Sequence, residues 1–384
     1  MTRSISILCH TLSGNAFGRA LLLAQLLQDE FDVHLVTACR SGDEMWQPAR
    51  GSCPFEVRRW TPFSYPGYVV GARDIARRLV TGDLIYCVKP RLPSYGLGLV
   101  ARAHSGTPLI LDIDDNELGF SSLASDLMSA PLALFSAAHP LHTRWLNARS
   151  KRADAVTVSN SYLHARHGGT WIPHARDADV LNAKVSTGER DLPTILFAGT
   201  PRHHKGVTDL LSAFEMLNLP THLHIVGGLL DPALAKDAQR LRARGVFIEA
   251  PVAMTELPRV LQSADVIVIP QQDTKAGRGQ LPAKLLDAMA MEKAIVSTTV
   301  GDIPRWLSGE AGIVVQPSDP AALATALSRL LQDSTLRRKL GQRARARFMQ
   351  YGAIDVVKPR LRTLVDRVLR GQPSSYEPAP FAVP

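Results

Sequence analysis

No C-x-x-C pair occurs among the four cysteines, Cys9, Cys39, Cys53 and Cys87, which all fall in the first quarter of the 384-residue chain. That spacing excludes a zinc knuckle or a dithiol redox motif and leaves buried free thiols as the expectation. Aromatic residues make up only 6% of the sequence, too few for a base-stacking or lectin-like surface. The longest apolar runs, such as Ala20–Ala24, fall far short of the ~20 residues a membrane span needs. The first ten residues, MTRSISILCH, hold too short an apolar run for a signal peptide. A cytoplasmic protein is expected. G-x-G-x-x-G is also missing, so no dinucleotide cofactor is expected, and no metal site is expected either.

What is present is the balance of a globular protein, 45% hydrophobic and 21% charged. The net charge of +9 is concentrated at one end. Between Leu331 and Arg370 stand eleven Lys or Arg against three acids, a local charge of +8. Two readings of that segment stay open, a solvated helix face and a site for an anionic partner such as a membrane surface. Nucleic acid is disfavoured, because the arginines lack interleaved aromatics and no recognition motif is present.

Short β-branched runs alternate with helical patterns. Strands are expected at Ile5–Cys9, Asp32–Thr37, Phe55–Trp60, Asp83–Val88, Pro108–Ile113, Ala155–Ser159 and Thr170–Ile172. After a polar stretch the pattern restarts at Thr194–Gly199, Leu223–Gly227, Val246–Ala250, Val266–Pro270, Ala294–Thr299 and Gly312–Val315. Such alternation predicts parallel sheets covered on both faces, hence two Rossmann-like, doubly wound domains facing a cleft. The expected boundaries are residues 1–177, a linker at 178–193, a second domain at 194–345, a basic helical segment at 346–370 packing back toward the first domain, and a disordered tail at 371–384. The segment Ser121–Ser150 reads as helical.

Ligands in open α/β sheets bind beyond the carboxyl ends of the strands, so the strand-to-loop junctions are the candidate sites. Gly14 and Gly18 follow the first strand, where glycine lets backbone approach a ligand. Asp112, Asp114 and Asp115 end the fifth strand and could orient a sugar hydroxyl, although turn and capping bonds are an equal alternative. A metal site is conceivable there, but Asp114 and Asp115 point in different directions if the strand continues. Gly199 opens the loop GTPRHHKG, whose Arg202 and Lys205 suit a diphosphate, arginine through its fork and lysine as a point charge. Gln280, Leu281 and Pro282 start a helix whose N-terminus favours phosphate. Asp287 lies one turn in, on a helix of small apolar residues. A carboxylate there suits two neighbouring ribose hydroxyls, and without a partner its burial would be costly.

Four stretches in the second half carry a resemblance: FAGTPRHHKGVTDLLSAF, SADVIVIPQQ, PAKLLDAMAMEKAIVSTTVGDIPRWL and GEAGIVVQPSDPAALATAL. In order and spacing they resemble glycosyltransferase family 4, the retaining group with the GT-B fold, across most of residues 190–350. The first half is more faintly similar, through SGNAFGRALLLAQLL, TPLILDIDD, AVTVSNS and IPHARD. The resemblance implies a hexosyltransferase-like enzyme of class EC 2.4. It implies a nucleotide-sugar donor held by the second domain, and a glycan or lipid-linked acceptor held by the first. Transfer would be independent of metal, without a cofactor, and would retain anomeric configuration. By position, Lys205 and Arg202 would be catalytic, and Asp287, Gly279, Gln280, Leu281, Pro282, Gly199 and Gly14 would bind the donor. Asp114, Asp115 and His174 would lie on the acceptor side.

The chain departs from the family at Gly279. The family commonly has two glutamates with seven residues between them. Here the second position is Asp287 and the first, Gly279, has no side chain. Donor-sugar contacts would then come from the backbone of 277–280, or from Asp273, Lys275 or Arg278, in a loop expected to be exposed. A protein that binds nucleotide sugar without turnover is the alternative this motivates. A lipid-linked acceptor would place the protein peripherally on the inner membrane face.

Overall fold

The computed structural model describes residues 2–62, 67–183, 191–228 and 232–373. The chain divides into two compact units, Met1–His174 with Val357–Pro384, and Ala175–Val356. The first contains β1 (Ser4–Cys9), β2 (Asp32–Ala38), β3 (Glu56–Trp60), β4 (Leu84–Val88), β5 (Leu109–Ile113), β6 (Ala155–Val158) and β7 (Thr170–Trp171). The second contains β8 (Thr194–Ala198), β9 (His222–Val226), β10 (Val246–Glu249), β11 (Val266–Ile269), β12 (Ala294–Thr298) and β13 (Ile313–Val315).

Both sheets are parallel and doubly wound. Their orders are β3-β2-β1-β4-β5-β6-β7 and β10-β9-β8-β11-β12-β13. The central strands β4, β5, β8, β11 and β12 are buried along their whole length. That explains why they read as continuous apolar runs and not as alternating ones. Leu8, Val36, Ile85, Leu111 and Val158 anchor the first core, and Phe197, Leu210, Phe214, Val268, Val296 and Leu327 the second. Burial of each such side chain contributes about 1.5–3 kcal/mol.

The boundaries differ from those expected. The second unit begins at Ala175, ahead of the 178–193 linker, because Arg176 is bonded into it. Its N–H donates to the Gly352 carbonyl at 3.0 Å, and its own carbonyl accepts from Ile354 N–H at 3.0 Å. Residues 184–190 of that linker lie outside the described residues, as do residues 374–384 of the expected tail.

The change of unit near the C-terminus falls at Val357, inside the helix Ile354–Leu369, and not at residue 346. The preceding helix Ser334–Tyr351 stays with the second unit through its arginines. Arg345 donates to the carbonyls of Leu181, Ala178 and Ala290, and Arg347 to those of Trp306 and Arg305. Beyond Val357, Lys358 pairs with Asp29, Arg362 pairs with Glu30, and Arg360 lies 5.2 Å over the Trp171 ring. Arg337 donates to the carbonyls of Leu330 and Leu331, and Arg343 pairs with Glu310. Much of the +8 segment therefore cements the two units internally.

Residues 121–150 are helical as expected, but broken into short lengths. They form short pieces, Leu123–Met128, Ala130–Leu134 and Pro140–Asn147. Pro131 and Pro140 each remove a helical donor and sit where a new piece begins. The pieces expose Phe120, Leu123, Leu127, Met128, Leu132, Leu134 and Phe135, with Met128 at 86% and Phe135 at 69%.

Candidate functional site

In the second sheet the strand order reverses between β8 and β11, and a ligand crevice is expected beyond the carboxyl ends of those strands. The loop 199–206 follows β8 and the loop 270–282 follows β11. They are tied together: Gln272 N–H donates to the His204 carbonyl at 2.9 Å, and the Gln272 side chain donates to Asp209. Gly206, at φ +70°, presses so closely on Pro270 that a Cβ would overlap the Pro270 carbonyl oxygen. Only glycine fits there. The resulting short turn His203–Lys205 leads into the helix Val207–Glu215, with Arg202 exposed and Lys205 half-buried on it.

The loop after β11 is a packed structure. Thr298 Oγ1 donates to the Gln271 carbonyl at 2.6 Å, and Gln271 Nε2 donates to the Gly277 carbonyl at 2.7 Å. Thr274 caps the turn Lys275–Arg278 by accepting from Gly277 N–H at 2.9 Å. Asp273 and Arg278, both expected as possible sugar contacts, pair with each other at 2.5 and 2.7 Å. Asp273, Lys275 and Arg278 are exposed as expected of this loop, but Gly279 itself is buried; the Gln271 amide bonds to the Gly277 carbonyl beside it. Leu281 and Pro282 are buried and Gln280 is half-buried. Gly301, at φ +57°, backs the same turn, and a Cβ there would lie 3.0 Å from the Arg278 carbonyl oxygen. Beside it, buried Asp302 accepts from Arg305 at 3.2 Å.

Pro282 leads into the helix Ala283–Ala290, in which Leu285 to Ala290 are all buried. Asp287 is 6% exposed, and its Oδ1 forms an ion pair with Arg176 Nε. The carboxylate therefore has a protein partner, which the sequence reading did not supply. A carboxylate has about four lone-pair sites, so the pair leaves acceptor capacity on Asp287. Three residues earlier stands Lys284, whose ammonium is buried with no hydrogen-bond partner and lies 3.4 Å from the centre of the Phe197 ring. Burial, and then the charge of Lys205, push its pKa well below the usual lysine range, while Asp287 opposes the shift.

In the first sheet the order reverses between β1 and β4. His10 follows β1, Lys89 follows β4 and Asp114 follows β5. Lys89 is held at φ +68°, a left-handed conformation that lysine adopts only under constraint. Its buried ammonium reaches Asp115 at 2.5 Å, Glu117 at 2.7 Å and Asp114 at 3.4 Å. The strand ends at Ile113, so Asp114 and Asp115 converge on one cation instead of diverging. Burial raises the Asp114 carboxyl to about 7, with Lys89 opposing. Burial also holds the His10 imidazole neutral, with its pKa lowered to about 3 and Arg91 and Lys89 adding to the shift.

Asp112 does not contribute a free carboxylate. Buried Arg19 grips it at 2.8 and 3.0 Å and also donates to the carbonyls of Ile172 and Pro173, while Thr157 donates to Asp112 at 2.7 Å. This corrects its reading as a hydroxyl-orienting group. Gly14 caps the helix Asn15–Leu27, and Gly18 packs that helix on Trp46, whose ring a Cβ would meet at 2.7 Å. His174, half-buried, ends the first unit's long segment.

The paired loops after β8 and β11 lie in the segment that matches a family model. Residues 192–333 match the family Glycosyl transferases group 1. D-rhamnosyltransferase WbpZ of Pseudomonas aeruginosa is 30% identical over 158 residues, 40% of this chain and 40% of the relative. D-inositol 3-phosphate glycosyltransferase of Xylanimonas cellulosilytica is 28% identical over 226 residues, 54% of this chain and 52% of the relative. The chain thus spans about half the length of these curated relatives. HepE of Anabaena, solved in complex with UDP and glucose, is similar in structure with a TM-score of 0.72 at 15% identity, over 95% of this chain and 99% of HepE. The architecture of two parallel-sheet α/β units is that of the GT-B glycosyltransferases.

Sequence reasoning passed over Arg176, Lys284, Lys89 and His10. A signal existed for Lys284, the one cation in the apolar helix PAKLLDAMA. None existed for Arg176, whose partner lies 111 residues away.

Proposed function

We propose that this chain is a glycosyltransferase of class EC 2.4 that moves a sugar from a nucleotide-sugar donor to a glycan or lipid-linked acceptor. The observation that carries the reading is the loop Gly199–Gly206. It sets Arg202 and Lys205 at the switch point of the second sheet, pinned to the loop that leads into the helix Ala283–Ala290. Two cations and a helix N-terminus favour a diphosphate, and stabilise the charge that develops on it as the sugar departs. Asp287 is assigned to the ribose, and the backbone around Gly199 and 279–282 to the phosphates and sugar. HepE, with the same fold, was solved with UDP and glucose, which supports a donor of that class here.

Because protein cations take the leaving-group charge in this scheme, transfer should proceed without a metal ion or cofactor. Retention of configuration accompanies the family 4 resemblance. The acceptor is assigned to the first unit, with Asp114, Asp115 and His174 as its contacts. A lipid-linked acceptor at the cytoplasmic face of an anionic membrane fits the exposed apolar residues between Phe120 and Phe135. No described helix is long and apolar enough to cross a membrane.

The test is turnover on a panel of UDP-, GDP- and ADP-sugars in EDTA, with the product's anomeric configuration read by NMR. Donor consumption with retention is expected. Activity that EDTA abolishes and magnesium or manganese restores would contradict the metal-independent scheme. Binding without consumption of any donor would contradict the enzyme.

A further inference from the structure

The Lys284 ammonium has no hydrogen-bond acceptor among the described residues. It lies over the Phe197 ring at the end of β8 and is 4.0 Å from the point a Gly199 Cβ would occupy. The charged groups around it come from three places. Lys205, from the loop after β8, repels it; Asp287, on its own helix, attracts it; Arg176 holds that carboxylate in an ion pair. The aromatic face supplies a partial contact to a cation but no hydrogen-bond acceptor. A buried ammonium left in this state is costly, and the like charge of Lys205 adds to the cost.

Both costs fall if an anion sits against the Lys284 ammonium on the side of Lys205. The position is suited to one. Lys284 occupies the first turn of the eight-residue helix Ala283–Ala290, whose amide groups point the same way as an anion would require. Gly199, at φ +120° and without a side chain, keeps the space beside the ammonium clear.

We propose that Lys284 is a second diphosphate-binding cation, facing Lys205 across the diphosphate of a nucleoside diphosphate. The assignment rests on the donor class proposed above and adds to it a residue that the loop cations do not include. In the free protein burial disfavours the charged form of Lys284, and a bound anion would favour it, so Lys284 serves binding more than stability.

The experiment is calorimetric titration of the full chain and its Lys284→Met variant with UDP, GDP, ADP and inorganic pyrophosphate, and with uridine, guanosine and adenosine. For the diphosphate that binds best, Lys284→Met should weaken affinity at least about tenfold. Affinity for the matching nucleoside should not change, and the free variant should melt no lower than the parent. Unchanged diphosphate affinity would overturn the assignment, and so would a parallel loss for nucleoside and diphosphate, which marks a structural role. If the unmodified chain binds none of the diphosphates, the donor class itself is wrong and this assignment falls with it. Lys284→Gln, with a polar end in place of the charge, repeats the comparison should the methionine variant fold poorly.

Discussion

Asp287 and Arg176 form an ion pair that joins the middle of the helix Ala283–Ala290 to the first residues of the second unit. Their side chains are 9% and 17% exposed. Removing one member leaves the other poorly solvated, so Asp287→Ala and Arg176→Met should each lower stability by roughly 2–4 kcal/mol, with part of the loss recovered in the double variant. Urea unfolding measures this. Asp287→Asn, which keeps shape, should also weaken nucleoside binding while leaving pyrophosphate binding alone. Equal nucleoside affinity would remove Asp287 from the ribose.

Gly206 offers a test of the loop itself. A Cβ there would overlap the Pro270 carbonyl oxygen, and φ is +70°. Gly206→Ala should destabilise the second unit by about 3 kcal/mol or more, through loss of the contact between the two site loops. A variant as stable as the parent would mean that the loops are not held in register by this glycine.

The sheets were legible in the sequence because buried parallel strands are uniformly apolar, and each expected strand falls within a residue or two of an observed one. Element type follows from local composition. Partner choice does not: Arg176 with Asp287, Arg19 with Asp112 and Arg345 with the Leu181 carbonyl are long-range pairings. The +8 segment shows the same limit. A run of arginines looks like an exposed field, yet Arg337, Arg345 and Arg347 donate to carbonyls at helix ends, where a guanidinium satisfies several acceptors at once. Gly279 looked exposed because its neighbours are polar, and the Gln271 amide that packs its loop could not be inferred from its own position.

Asp114 should give stability a pH dependence of defined sign. Its carboxyl is raised to about 7 in the folded chain, above the ordinary 3.8. Between those values the folded state binds a proton that the unfolded chain lacks, so this group's contribution falls as pH rises through the window. The difference in Tm between Asp114→Asn and the parent should therefore grow in the variant's favour from pH 5 to pH 8. A constant difference would mean that Asp114 is ionised throughout.

The apolar residues between Phe120 and Phe135 should bring the protein to lipid. Vesicle flotation is expected to recover the parent with anionic vesicles, and Met128→Asp with Phe135→Asp should reduce that recovery several-fold. Recovery that ignores the double variant but falls in high salt would assign membrane contact to the basic residues instead.

The account turns on one contact, the diphosphate on Lys205. Calorimetry of Lys205→Ala against the nucleoside diphosphate that the unmodified chain binds best tests it directly. The account predicts a folded variant with binding weaker by roughly 1.5–3 kcal/mol, because a charge-assisted contact is lost from a half-buried loop. Binding as tight as that of the unmodified chain would contradict it.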